Sequence, residues 1–352
     1  MNIKDQVKII SLGIAVPEES YSQEETFLRL GYPREFKRIF TDAGIETRHF
    51  WVPLGTKLSW QEACEEYPKA VLKLGTEAVR NCISDEELSK VGYFIFQSCT
   101  GFTVPSMNYQ IAKEMGMSPT VEFVSNIGDG GCVGALPSLR QAWKHTQLTR
   151  ENSLAVSCEI SSLCYYPDED PFPDPRGKYQ LLRANALFGD GASAALFGYD
   201  DNPKHPYIVD YQSFTDYSKQ YALGMEWLHG RLACVLSHEV PKLAPAIVSQ
   251  CLKPLMFRNM ITISDIKWLM IHPGGKAVLD NVQNALGLPE IVMGPSREAL
   301  RIYGNCSSTS VGLLSKNFME NRSEEVRPGD WGLVVTVGSG MSSSAMLIRW
   351  PE

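Results

Sequence analysis

Six apolar, β-branched or aromatic runs, at 91–96, 154–157, 192–199, 266–271, 332–337 and 344–350, have the length and composition of buried strands. Between them, the segments 107–115, 136–146, 277–286 and 307–320 space apolar residues three and four apart, which predicts helices. Strands alternating with helices predict a layered α/β architecture.

The order of elements repeats. YFIFQ at Tyr93, followed by a loop and a helix, resembles WLMIH at Trp268, 175 positions later. GGCVGALPSLRQA is echoed by YGNCSSTSVGLLSKN, with Cys132 and Cys306 174 positions apart. GASAALFGY and SSSAMLIRW then close each unit at an offset of only 151. The difference lies in YYPDEDPFPDPRGKYQLLRA, residues 165–184, which is predicted to form a loop without a counterpart. These spacings predict two related halves, 1–204 and 205–352, packed about a pseudo-twofold axis. The helix starting near Cys132 then faces the one starting near Asn305 and Ser307. His272, at the end of the Trp268 strand, arrives at the same place, because ligands gather where the strands of such sheets end.

Composition narrows the function. With 352 residues, of which 44% are hydrophobic and 21% charged, the chain is an ordinary globular protein with one large or two medium domains. A net charge of −7, with dispersed Lys and Arg, leaves no footprint for a nucleic acid or an anionic membrane. No segment approaches the ~18 apolar residues of a membrane span, and MNIKDQVKIISLGIAVPEES lacks the pattern of a signal peptide, so the expected location is the cytoplasm. The nine cysteines include no CxxC pair, which argues against a zinc site or a disulfide framework. Free cysteine usually serves as a small buried hydrophobe. A special role for Cys132 therefore has to be argued from its setting.

That setting is GDGGCVGALP, a glycine-rich bend ahead of a helix. The glycines permit positive φ and close backbone approach, and Pro137 predicts a tight or kinked first turn. A helix start and a nearby imidazolium both lower a thiol pKa, so the sequence predicts an activated thiolate. His272, in IHPGG, supplies the imidazole. Asn305 supplies a neutral donor able to stabilise an oxyanion, a role worth about 3–4 kcal/mol when well aimed. Each residue alone is more often structural; together they outline a nucleophilic site. The other histidines, at 49, 145, 205, 229 and 238, have no comparable setting, and neither a phosphate-binding GxxxxGKS nor HExxH occurs. FGDGASAALFGY precedes a strand instead of a helix, so 188–191 is read as a strand-to-strand turn beside the site.

Read in order, GGCVGALPSLR, NALFGDGASAALFG, IHPGGKAVLDNVQNALGL, YGNCSS and VGSGMSSSAMLIRW resemble the thiolase-like condensing enzymes. Among these the chain looks most like type III polyketide synthases, the chalcone and stilbene synthase family, with ketoacyl synthase III a close relative. CTGFTVPSMNYQIAKEMGM fits the same pattern, and the resemblance runs from about Ile9 to Trp350. It implies a five-layered αβαβα fold built from two pseudo-symmetric halves, a homodimer, and a catalytic triad of Cys132, His272 and Asn305. It also implies that the cysteine takes an acyl group from a thioester. Histidine and asparagine would then hold an extender as it loses carbon dioxide, and the carbanion would attack in a Claisen condensation. Cyclisation to a pyrone, resorcinol or cyclohexanedione would follow. No metal or organic cofactor is implied; the substrates are acyl thioesters of coenzyme A or of an acyl carrier protein.

The resemblance places Phe188 at a cavity gate, Cys234 where the companion aromatic gate would be, and Cys164 and Ser307 along the cavity, with Gly338 and Gly340 also at the substrate site. The small Cys234 is expected to widen the passage from tunnel to cavity. At the tunnel mouth the family's basic trio falls on Glu35, Arg38 and Asp42, leaving only Arg38 basic. Either other cations such as Lys37 or Arg48 take over, or the acyl group arrives on a carrier protein. Val104 replaces a larger residue that reaches into the partner's cavity. The alternatives are a single ketoacyl synthase III-like condensation or acyl transfer, hydrolysis by a Cys-His-Asn site, and a binding subunit with a dormant site. The CGSCW-like context of papain-type proteases is missing, and the complete triad speaks against dormancy.

Overall fold

The computed structural model describes residues 6–128, 130–165, 175–228 and 231–352. Nine strands of these residues form a mixed sheet. In chain order they are β1 (Lys8–Ala15), β2 (Val91–Ser98), β3 (Glu122–Ile127), β4 (Asn152–Glu159), β5 (Gly191–Gly198), β6 (Tyr207–Thr215), β7 (Ile266–Ile271), β8 (Trp331–Gly338) and β9 (Ser342–Arg349). Their spatial order is β7-β8-β9-β6-β1-β5-β4-β2-β3. Two halves of five and four strands thus meet edge to edge. The seam is narrow: Lys8 pairs with Tyr207, flanked by the amides of Ile9 and Ile208 donating to Pro206 and Val7.

Alternation along the strands makes the layers. On β2, Phe94 and Phe96 enter one core while Tyr93 and Ile95 enter another. On β9, Ala345 and Leu347 face a third core, while Met346 and Ile348 share the one that holds Tyr93. Because strand side chains alternate faces, each half must be covered on both sides.

Helices α1 (Trp60–Arg80) and α2 (Met107–Met115) cover the outer face of the first half. The start of α1 is fixed by a capping box, in which Ser59 Oγ accepts the Glu62 amide and the Glu62 carboxylate accepts the Ser59 amide. Its buried Ala63, Tyr67, Ala70, Val71, Leu74 and Ala78 recur at helical spacing and meet β1, β4 and β5. Each fully buried large apolar side chain contributes roughly 1.5–3 kcal/mol. Between the halves lie α3 (Ala135–Thr149) and, after α4 (Pro175–Leu187), α5 (Val240–Asn259), α6 (Lys276–Leu286) and α7 (Glu290–Tyr303), the helix α8 (Ser310–Arg322). Helices α3 and α8 touch strands of both halves and share their core. Helices α5 and α6 cover the far face of the second half. The result is the αβαβα layering that the resemblance implies.

Two local expectations are corrected. Residues 188–191 join helix α4 to β5, so the turn is helix-to-strand and not strand-to-strand. The segment expected to be a loop over 165–184 ends inside α4, and its residues 166–174 lie outside the described residues.

Candidate active site

Cys132 sits in a one-turn 3₁₀ segment, Gly131–Val133, directly before α3. Gly130 and Gly131 have φ of 71° and 48°, and a Cβ on Gly131 would collide with the Ser339 hydroxyl. Glycine is required there to bring the sulfur in. Pro137 falls in the first turn of α3, where its missing amide leaves no intrahelical bond unmade. Gly338 packs against the nucleophile candidate from the other half; a Cβ there would stand 2.7 Å from that of Cys132.

Asn305 opposes Cys132 at the start of the short helical turn leading into α8. Its carboxamide lies 3.8 Å from the sulfur, and its Oδ1 accepts the Ser307 amide at 2.8 Å. That second bond orients the side chain. The backbone of Asn305 is tied in turn to the Phe188 bend, its amide donating to Leu187 and its carbonyl accepting from Gly189, both at 2.9 Å.

His272 follows β7 and is fully buried. Its amide donates to Val335 at 2.7 Å, while neither ring nitrogen has a hydrogen-bond partner among the described residues. The ring lines a tunnel of about 260 Å³ together with Cys132, Asn305 and Phe188. Beyond Cys132 and Phe188 lies an inner cavity of about 30 Å³, whose wall includes Cys164, Cys234, Ser307 and Thr100. Cys132 and Phe188 line both spaces, so the thiol stands at their junction.

Burial governs the charges. It pushes the Cys132 thiol up to about 11, although hydrogen bonds with Ser307 and Asn305 pull the other way. It pushes His272 down to about 3. The expected resting thiolate is therefore corrected: a helix start does not offset complete desolvation of a single charge. A proton passed from sulfur to imidazole is the one way to create charge here with its counter-charge beside it.

The remaining expectations divide. Ser307, Cys164 and Cys234 line the inner cavity as expected, but the widened passage expected from Cys234 is not found, since the space it borders is the narrow one. Gly340, with φ of 69°, lines a separate open hollow of about 800 Å³ instead. Arg38 is exposed and absent from the tunnel wall, whereas Asp42 is part of it. Lys37 is paired with Glu24 at 2.6 Å. Arg48 is fully buried and faces inward, donating to Gln23 Oε1, to the Tyr165 hydroxyl and to the carbonyls of Asn185 and Phe188. It braces the Phe188 bend and is unavailable to a ligand.

One buried carboxyl beside the site was not foreseen. Glu159, at the end of β4, accepts from the Cys99 amide at 2.9 Å, from Thr100 Oγ1 at 3.1 Å and from Ser308 Oγ at 2.5 Å. Burial pushes its carboxyl up. The sequence signal was a lone acid closing the otherwise apolar and small NSLAVSCE.

Comparison with known proteins decides the family. Residues 56–201 match the N-terminal domain of chalcone and stilbene synthases, and residues 218–350 match their C-terminal domain. The chain belongs to the chalcone and stilbene synthase family. It is thus an acyltransferase of the polyketide synthase type, acting by Claisen condensation. Similar curated proteins include the 3,5-dihydroxyphenylacetyl-CoA synthase of Amycolatopsis orientalis, 28% identical over 97% of this chain and 93% of that one. Another is the 1,3,6,8-tetrahydroxynaphthalene synthase of Streptomyces coelicolor, 28% identical over 96% and 90%. The fold resembles PKS-I of the brown alga Ectocarpus siliculosus, with a TM-score of 0.86, 19% identity and 98% of each chain covered.

Proposed function

We propose that Cys132, His272 and Asn305 carry out the condensation. Cys132 attacks the carbonyl of an acyl thioester; its proton passes to His272, and the carrier thiol leaves. A malonyl-type thioester then enters the same tunnel and loses carbon dioxide. His272 and Asn305 donate to its thioester oxygen while negative charge gathers there. The resulting carbanion attacks the cysteine-bound carbonyl, the new carbon–carbon bond forms, and the Cys132 thiolate leaves. Ring closure follows in the inner cavity.

The observation that carries this reading is the convergence of a thiol, an unpartnered imidazole and an oriented carboxamide on one tunnel. Supplying acyl and malonyl thioesters and following carbon dioxide release with product mass tests it. Release without a carbon–carbon product contradicts it.

The small inner cavity favours a second reading, a single condensation without ring closure. The product mass separates the two.

The acting unit is proposed to be a homodimer. The open 800 Å³ hollow borders the inner cavity and includes exposed Phe102, Tyr221 and Trp227, which are 65%, 81% and 61% accessible. Val104, 91% accessible, follows Phe102 by two positions, and apolar surface gathered in this way marks a contact face. No described helix is long and apolar enough to cross a membrane.

A further inference from the structure

Acyl donors on a phosphopantetheine arm are anionic, yet the cations first expected to meet them are elsewhere. Arg38 stands outside the tunnel wall, Lys37 is paired with Glu24, and Arg48 is buried among neutral acceptors. Of the cations that do line the tunnel, Lys276 is held by Asp280 at 2.8 Å. Asp42 adds negative charge to the wall, in a chain whose net charge is already −7.

Arg183 is different. It lies on α4, one turn before Leu187, so both face the tunnel, while Ala184 faces the inner cavity. Its guanidinium is half-buried and donates from Nη1 to the Leu236 carbonyl at 3.2 Å. No carboxylate among the described residues pairs with it. Desolvation presses its pKa downward, and the Tyr179 phenol opposes that only in part. A partly desolvated cation without a counter-ion is costly, and a ligand anion would remove the cost.

We infer that Arg183 is the anion-binding residue of the tunnel and grips the phosphate of the phosphopantetheine arm that delivers the acyl and extender groups. The inference rests on the condensing-enzyme reading, and gives this chain a phosphate contact on the α4 side of the tunnel in place of the missing basic trio. Arg183 and Cys132 both line this tunnel, so the phosphate and the sulfur of one arm would lie along the same passage. A planar guanidinium suits the ligand because it can bind two phosphate oxygens at once. Coenzyme A and a carrier protein present the same phosphate.

Calorimetric binding of phosphopantetheine and of pantetheine, which lacks the phosphate, tests the inference without requiring turnover. The wild-type chain should bind the phosphorylated arm about 10- to 100-fold more tightly, as expected for one charge-assisted contact. R183Q should erase that difference while leaving pantetheine binding unchanged, and R183K should restore part of it. Equal affinities for the two arms in the wild-type chain, or a preference that survives R183Q, would overturn the inference. Parallel titrations with coenzyme A and with a holo-carrier protein identify the source: the one whose binding weakens in R183Q is the donor, and insensitivity of both counts against Arg183. Acylation of Cys132, measured separately by mass, reports on the parent reading, so failure of one is not mistaken for failure of the other.

Discussion

The sulfur of Cys132 lies 3.8 Å from the carboxamide of Asn305, although 173 positions separate them. The contact joins two helix starts, one following β3 and one preceding β8. It sets a nucleophile and a donor on opposite sides of one small volume, with His272 completing the wall.

The first consequence concerns pH. With Cys132 pushed up to about 11 and His272 down to about 3, the pair neither gains nor loses a proton between those limits. Below its pKa the thiolate fraction of a buried thiol rises about tenfold with each pH unit. Alkylation of Cys132 by iodoacetamide in the ligand-free chain should therefore still climb about tenfold per unit at about pH 9, where a free thiol of pKa about 8.5 levels off. A plateau reached well below about pH 9 would show a thiolate already held by the imidazolium of His272.

Asn305 is predicted to act on the extender more than on loading. In Asn305→Ala, decarboxylation of a malonyl thioester should fall about 10²- to 10³-fold, the usual loss for one oxyanion donor. Acylation of Cys132 should fall far less. Single-turnover measurements of the two steps separate them, and equal losses would assign Asn305 a purely structural role.

Cys234 borders the narrow inner cavity. Cys234→Gly should enlarge it and shift products toward more extender units, while Cys234→Phe should close it and leave acylated enzyme that extends poorly. Product mass distributions decide the matter; an unchanged distribution in both variants would remove Cys234 from control of chain length.

Arg48 holds the bend that carries Phe188, donating to its carbonyl at 2.6 Å. Arg48→Ala would leave four buried acceptors short of a partner and is expected to cost about 3–5 kcal/mol, seen as a lower denaturation midpoint. A change below about 1 kcal/mol would show that water replaces the guanidinium at little cost.

How much of this was legible in the sequence depends on the range of each signal. Cys132 and His272 each occupy a glycine-flanked junction between a strand and a helix, Asn305 follows a glycine between two helices, and such junctions are local. The six strands read from apolar runs all lie in the sheet. The strands β1, β3 and β6 escaped, because KIISLGIA, EFVSNI and YIVDYQSFT are interrupted by polar or glycine residues and are only partly buried. Arg48 was misread as a free cation because its partners at Gln23, Tyr165, Asn185 and Phe188 lie up to 140 positions away. The charge state of the thiol was misjudged for a related reason: spacing reveals a helix start but not the depth at which it is buried.

The most direct test is the intact mass of the chain after brief exposure to an acyl thioester. The proposed chemistry requires one acyl group added, mapped by peptide analysis to Cys132 and absent in Cys132→Ala. An acyl group on another residue, or condensation at full rate in Cys132→Ala, would contradict it.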